Sequence, residues 1–483
     1  MKLNERQWVD LAYKKLKGAI YFDKTQLPLL DSIVRFERDG LEKELDDLAQ
    51  LLAQPDDEKW EDFISDIASK IDVFVYPKKL EDYSNGQIIF NATDVPVKAK
   101  KAKYFIDMPV KGHLLGVLWI LTIGTQIDKR SDVDKAWMYE HSYGNRLRKR
   151  LIQKEDGRIS YSPHMFEAYF SQYESWRDKA LSCAEERLDT HQDALILMLD
   201  LRDFYYSIDI SEKGFSGIYD TFQTKKTPRW AKPVHDFVYY VLKTFSEKVR
   251  MLNRDEALQL GNRVFLPIGF LPSNILANWF LTPFDKAISD RINPVYYGRY
   301  VDDIIIVDKI EKNSAMRRKV CKEGDNACKL SAQDVIQHYF CNYDNCCPIF
   351  EIFNAPKLNS EAEGSKEDKG EFDYKISNSI LAGEINADSV PDVHVQGKKV
   401  KVFYFREGST RALLDCFHAE IGKNASEFRL LPDVGKLLRY NDYSEIFKLE
   451  NKETPNKLRG ITDLHVDRFA LSNSWGNTAK RVI

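Results

Sequence analysis

The sequence predicts an α+β fold in which helices pack about an antiparallel sheet, with a helical N-terminal extension and a mostly helical C-terminal region. Three observations carry this. Segments such as "LEKELDDLAQLLAQ" and "KWEDFISDIASKI" repeat apolar residues at helical spacing. The stretch "ALILMLDLRDFYYSID" (194–209) is an apolar run that suddenly turns acidic, as a buried strand does when it leaves a core. Finally, "GRYVDDIIIV" (298–307) reads as strand, tight turn, strand, because Val-Asp-Asp interrupts residues otherwise rich in Tyr, Val and Ile.

Composition narrows the class. The 483 residues are 43% hydrophobic and 12% aromatic, enough for two or three cores of ordinary size. Lys plus Arg number 71 against 74 for Asp plus Glu, so any basic surface must be local. The opening "MKLNERQWVDLAYKKLKGAIYF" lacks an uninterrupted apolar stretch. The apolar "HLLGVLWILTIGTQID" (113–128) is too short and too flanked by charge for a bilayer and reads as core. The expectation is a cytoplasmic chain with no membrane partner. Five of the seven cysteines, Cys321, Cys328, Cys341, Cys346 and Cys347, crowd together with His338. No C-x2-C pair occurs among them, which favours reduced thiols in an insertion over a zinc site.

The elements follow in order. Residues 1–95 alternate helical patterns with a short strand, "VFVY" at 73–76. Between 161 and 190 a helix with aromatics on one face opens at Ser162-Pro163. The strand 194–209 comes next, then helix over 228–258, then "VFLPIGFLPSNILANWFLTPFDKAI" (264–288), a Pro- and Gly-punctuated loop opening a long apolar helix. After the Asp-Asp hairpin and the cysteine-bearing stretch, "NSEAEGSKEDKG" (359–370) has a linker composition and reads as a surface loop. The last third resumes with a strand, "KKVKVFYFREGS" (398–409), and a helix, "TRALLDCFHAEIG" (410–422), that stops at glycine.

Asp200 ends an apolar strand and Asp302 and Asp303 sit at a hairpin tip, so neighbouring strands of one sheet would bring three carboxylates to one edge. Like charges so placed repel unless a divalent cation neutralises them, which makes Mg2+ the natural resolution. Two such ions can clamp the attacking and leaving oxygens of an in-line phosphoryl displacement. That is the chemistry of nucleotidyl transfer.

With these residues stated, "LDLRDFYYSID", "LPIGFLPSNILANWFL" and "YVDD" resemble, in order, the palm segments of a reverse transcriptase. The resemblance implies a right-hand polymerase: an extension at 1–95, fingers and palm over 96–358 with a Cys-rich insertion at about 311–347, a linker-like region and strand at 359–397, and a helical thumb-like region at 398–483. It implies Asp200 and Asp302 as principal ligands of two Mg2+ ions, with Mn2+ a substitute, Asp303 as the adjacent carboxylate, and a carbonyl from Leu201. Tyr205 falls where the family places an aromatic ring against the sugar C2′, implying selection of dNTPs over ribonucleotides. Gly269 resembles the glycine that lets the backbone approach the template and nucleotide. Here the chain departs from the common pattern, with Ile268 in place of Gln and Asn274 where proline is often found, which puts ordinary template-directed fidelity in doubt. In "SYGNRLRKRL" (142–151), Arg146 and Arg148 lie near the place where fingers grip triphosphate, and Lys98, Lys100, Lys101 and Lys103 form a second basic cluster; either can equally be a solvated face. Lys357 in "FNAPKL" resembles the lysine that protonates departing pyrophosphate.

The Ile-Gly variant, "YGNRL" and the late block "FYFREGSTRALLDCFHAEIGKNASEFRLLPD" look similar to bacterial abortive-infection and defence-associated reverse transcriptases. That resemblance implies antiphage DNA synthesis, either on a noncoding RNA or without a template and primed from a protein hydroxyl. It also implies homo-oligomers or a separate effector protein as partners. Neither the Val-Thr-Gly signature of retrons nor a group II intron maturase thumb is evident, although both remain alternatives. Another is a catalytically silent, polymerase-shaped RNA-binding scaffold, which would gain nothing from three costly neighbouring carboxylates.

Overall fold

Apolar periodicity in the first seventy residues becomes four helices: α1 (Glu5–Phe22), α2 (Leu27–Arg38), α3 (Leu41–Ala53) and α4 (Glu58–Ser69). On α3 the buried residues Leu45, Leu48, Ala49 and Leu52 fall at i, i+3, i+4 and i+7, one face of a helix whose other positions are largely charged. The structure is a computed structural model and describes residues 3–22, 26–55, 57–80, 99–128, 141–148, 151–153, 159–162, 164–252, 260–312, 314–320, 330–341, 348–354, 372–381, 388–395 and 397–407. Residues 1–407 form one compact unit, which a second unit, 408–483, follows in the chain. The second lies outside the described residues. So do Lys357, the loop expected at 359–370 and four of the clustered cysteines.

The helical layer packs on α5 (Val110–Trp119), which continues through a π-helical turn, Ile120–Gly124, to Ile127. Its length and composition would suit a bilayer-crossing helix, yet every residue from Gly112 to Gly124 is buried. The expectation of core is met. Trp119 donates its indole N–H to His235 Nδ1 at 2.9 Å, and His235 Nε2 is 2.9 Å from the Phe215 carbonyl. Burial pushes the His235 pKa down to about 3, so a neutral ring joins these helices. The buried ammonium of Lys15 on α1 donates to the His164 carbonyl at 2.6 Å and ties the N-terminal layer to the segment around His164.

Strands β1 (Asp72–Leu80) and β2 (Ala99–Asp107) form an antiparallel ribbon with Phe74 opposite Phe105. Short strands β3 (Leu151–Gln153) and β4 (Ile159–Tyr161) follow, and then helix α6 (Tyr169–Asp189). Sequence reasoning opened that helix at Ser162, seven residues early. The backbone there is committed elsewhere, because Arg148 N–H donates to the Met165 carbonyl at 3.0 Å and Glu167 N–H to the Arg146 carbonyl at 2.8 Å.

The main sheet has β5 (Asp193–Arg202) at its centre, and β6 (Tyr296–Tyr300) and β7 (Asp303–Ile310) on one side. Beyond its other edge come β10 (His394–Val395), β9 (Phe372–Ile376) and β8 (Phe350–Asn354), while β11 (Lys401–Phe405) pairs along Ala194–Met198 of that same edge. All these pairings are antiparallel. Leu195, Leu197, Leu199 and Leu201 of β5 face the main core with Ile304 and Ile306, against helices α7 (Glu212–Phe222), α8 (Ala231–Leu252), α9 (Leu271–Phe280) and α10 (Thr282–Ala287). The boundary expected between 397 and 398 falls inside this arrangement: the strand there completes the sheet instead of opening a thumb-like region.

Candidate active site

Strand register brings the acidic residues together. Asp200 is directly opposite Asp303, which is opposite Tyr300 on its other side, so all three share one face of the sheet. The turn between β6 and β7 is Val301-Asp302, and the Asp302 carbonyl accepts from Leu201 N–H at 3.1 Å. Because a strand residue's N–H and C=O lie on the same edge, the Leu201 carbonyl also faces this turn. Val301 has φ +57°, costly for a β-branched residue by about 1–3 kcal/mol. Surrounding structure must impose it.

That support is a buried polar network. Arg299, wholly buried, bonds Asp285 through Nε at 2.9 Å and Nη2 at 2.8 Å, while its Nη1 donates to the Val301 carbonyl at 3.1 Å and to Asn278 Oδ1 at 3.0 Å. Tyr297 donates to Asp285 at 2.5 Å, and Asn278 donates to the Gly144 carbonyl at 2.8 Å. A Cβ on Gly144 would lie 2.9 Å from the Val301 nitrogen and 2.7 Å from its Cγ2. Glycine is required there because the acidic turn rests directly on it. Sequence reasoning missed this network, although a lone arginine within an apolar strand, one residue before Tyr-Val-Asp-Asp, was its visible signal.

The "YGNRL" segment is therefore a buttress for the turn, and Arg146 is part of it. Arg146 is buried, with Nε 2.6 Å from Asp128 Oδ1 and Nη1 donating to the Ser142 carbonyl at 3.0 Å. Asp128 also accepts from Leu147 N–H at 2.6 Å. This corrects the expectation of a triphosphate contact at Arg146, since a guanidinium committed to an internal carboxylate cannot also reach solvent. Arg148 is exposed.

A cation already stands at the acidic edge. Lys399, in the turn Gly397–Lys399 before β11, places Nζ 3.1 and 3.0 Å from the two Asp200 oxygens. The lysine expected to serve departing pyrophosphate, Lys357, lies outside the described residues, and Lys399 stands 199 residues from its partner. Among the described residues no group of three or more acidic, His or Cys side chains forms a ready-made metal cage. The donor set nevertheless fits a hard divalent ion: all its atoms are oxygens, and the ammonium on Asp200 shows that this edge draws positive charge. In the cysteine region, Cys341 is half-buried and burial pushes its thiol up to about 11, as befits a packed thiol.

The opposite wall carries the remaining candidates. In Phe204-Tyr205-Tyr206, Phe204 and Tyr206 are buried, and Tyr206 Oη accepts from Tyr104 N–H at 2.9 Å, holding β2. Tyr205 donates its hydroxyl to Asn274 Oδ1 at 2.9 Å. Burial first, and the Asp302 charge second, raise its pKa, so it stays protonated. Asn274, read in sequence only as a departure, fixes the Tyr205 ring. Gly269 has φ +91°, and Ile268 accepts at its carbonyl from Ile106 N–H at 3.0 Å while its side chain packs on the core. On β2, Tyr104 and Ile106 point into the core, leaving Phe105 and Lys103 on the other face with exposed Lys101. The side chains of Lys98 and Lys100 lie outside the described residues.

No curated protein matches the chain. Residues 146–331 match the family model described as reverse transcriptase (RNA-dependent DNA polymerase), a span that holds Asp200, Tyr205, Gly269, Asp302 and Asp303. A polymerase palm-and-fingers fold with dNTP and nucleic-acid binding goes with that family, whose polymerases generally use divalent metals. Over residues 146–331 the chain is thus similar to reverse transcriptases, a family whose activity is RNA-directed DNA polymerisation.

Proposed function

We propose that this chain joins dNTPs into DNA by two-metal nucleotidyl transfer, with Asp200, Asp302 and the Leu201 carbonyl as ligands and Asp303 beside them. The observation that carries this reading is the register Asp200–Asp303 at the Val301-Asp302 turn, together with the ammonium drawn to Asp200. When bound, Mg2+, or Mn2+ in its place, supplies charge stabilisation to the attacking and leaving oxygens. The chain's own groups do the rest. Tyr205, clamped by Asn274, occupies the space a 2′-hydroxyl would need. Lys101 and Lys103, continuing the face of β2 that carries Phe105 against Gly269, take the triphosphate contact first expected of Arg146, and exposed Arg148 is a second candidate. Lys399, whose Nζ stands at the acidic edge, is the candidate to donate a proton to departing pyrophosphate.

The setting we propose is bacterial antiphage defence, supported by the resemblance of the Ile-Gly variant, "YGNRL" and the late block to that group. Synthesis follows either a noncoding RNA or no template, with a protein hydroxyl as primer. Expression in bacteria challenged with a phage panel tests the role: plating should fall at least about tenfold with the native chain and recover with Asp302→Asn/Asp303→Asn. Protection that survives this change would favour the RNA-binding scaffold. Protease-dependent mobility of the DNA product would identify protein priming, and RNase sensitivity of its formation would identify an RNA template.

A further inference from the structure

Strands β10 and β11 share one edge of β5 but pair with different stretches of it. β10 lies against Leu201 and Arg202, and β11 against Ala194–Met198. Only Leu199 and Asp200 fall between the two pairings, so the connection from β10 to β11 passes beside them. It does so as the tight turn Gly397–Lys399, closed by Val400 N–H on the Gly397 carbonyl at 3.1 Å. Both ends of this turn are anchored on β5, and the pairing itself delivers Lys399 to Asp200.

Lys399 Nζ bonds both Asp200 oxygens, at 3.1 and 3.0 Å. An ammonium so placed stands where a divalent ion would seek the same oxygens, and two cations brought that close repel. Asp303 lies directly opposite Asp200, so a positive charge on Asp200 relieves the like-charge pair whichever cation supplies it. The Lys399 side chain is 52% exposed and that of Asp200 19%, which gives the amine solvent to move into when Asp200 changes partner. We infer that Lys399 is a built-in competitor for the metal: its ammonium holds Asp200 until a divalent ion displaces it. The amine is then free for the role proposed for it above only once the metal is in place, so the turn couples the two events. This deepens the polymerase reading and rests on it.

The test is Mn2+ binding to the full chain, read from the electron paramagnetic resonance of the free ion, beside melting temperatures with and without Mg2+. Binding is measured in about 0.5 M KCl, so that only charges in contact with the carboxylate count. Lys399→Met keeps the stem and removes the charge; Lys399→Arg keeps the charge. The Mn2+ Kd should fall about two- to fivefold in Lys399→Met, the range of one partly exposed ion pair, and match the native value in Lys399→Arg. Without metal, Lys399→Met should melt below the native chain, and Mg2+ should narrow that gap. An unchanged or raised Kd in Lys399→Met would overturn the inference, and a lowered melting temperature beside an unchanged Kd would leave Lys399 a structural ion pair only. Native Mn2+ binding that is indifferent to Asp302→Asn/Asp303→Asn would instead sink the metal-dependent polymerase reading. Binding that those carboxylates govern, with an indifferent Lys399→Met, removes this inference alone.

Discussion

The two walls of the candidate site are built differently. On the acidic side, Asp200, Tyr300 and Asp303 meet because three neighbouring strands are in register, and the turn is held by Arg299 within the same hairpin. On the nucleotide side, Phe105, Tyr205, Gly269 and Asn274 come from three distant segments tied by isolated hydrogen bonds, Ile106 N–H to the Ile268 carbonyl, Leu266 N–H to the Tyr205 carbonyl and the Tyr205 hydroxyl to Asn274. Strand register is a strict period of two, so one correct pairing fixes every residue of the acidic wall. The nucleotide wall has no such rule.

This contrast can be broken first at the carboxylates. Asp302→Asn/Asp303→Asn keeps side-chain shape and should lower DNA synthesis by at least about 1,000-fold while leaving the melting temperature within a few degrees. A variant that retains a tenth of native synthesis would show that the acidic wall is not the reacting one. Next is the buttress under the turn. Gly144→Ala pushes against the Val301 backbone, and because a displacement of about 1 Å can cost about 100-fold, synthesis should fall by that order even where far-ultraviolet circular dichroism stays native. Arg299→Met leaves Asp285 buried without its partner and should destabilise by about 3–5 kcal/mol in urea unfolding; a loss under 1 kcal/mol would contradict the buried network.

The nucleotide wall should yield smaller and more selective effects. Tyr205→Ala should raise ribonucleotide incorporation by about 100-fold, and Asn274→Ala, which only frees the ring, by about three- to tenfold. If Asn274→Ala matches the native selectivity, the hydrogen bond is not what positions the gate. At the other extreme Arg146→Gln should lower stability without changing the KM for dNTP, because its charge is turned inward. A raised KM with unchanged stability would restore Arg146 as a phosphate contact.

How much of this could be read beforehand follows from the same physics. The strand expected over 194–209, which stops at Arg202 before a helical turn at Phe204–Ser207, the Val-Asp-Asp turn, the apolar segment expected at 113–128 and the loop before α9 were legible, since apolar period and turn residues are local signals. The meeting of Asp200 with the hairpin followed from them. Arg146 was misread because a basic run looks the same whether solvated or buried, and only the position of Asp128, eighteen residues earlier in the chain, decides. Lys399 was invisible: it has no local pattern and reaches Asp200 across 199 residues. Asn274 shows in sequence only as a departure from proline, because its purpose depends on the Tyr205 hydroxyl 69 residues away.

The most direct test of the central claim is to incubate the purified full chain with Mg2+ and labelled dNTPs, without added template or primer, beside Asp302→Asn/Asp303→Asn, and to resolve the products on a denaturing gel. Labelled DNA from the native chain alone, abolished by chelation of the metal, is the expected result. Equal product from both proteins, or none from the native chain even after supply of a primed RNA template, would contradict the assignment of Asp200, Asp302 and Asp303 as the metal-holding edge of a DNA polymerase.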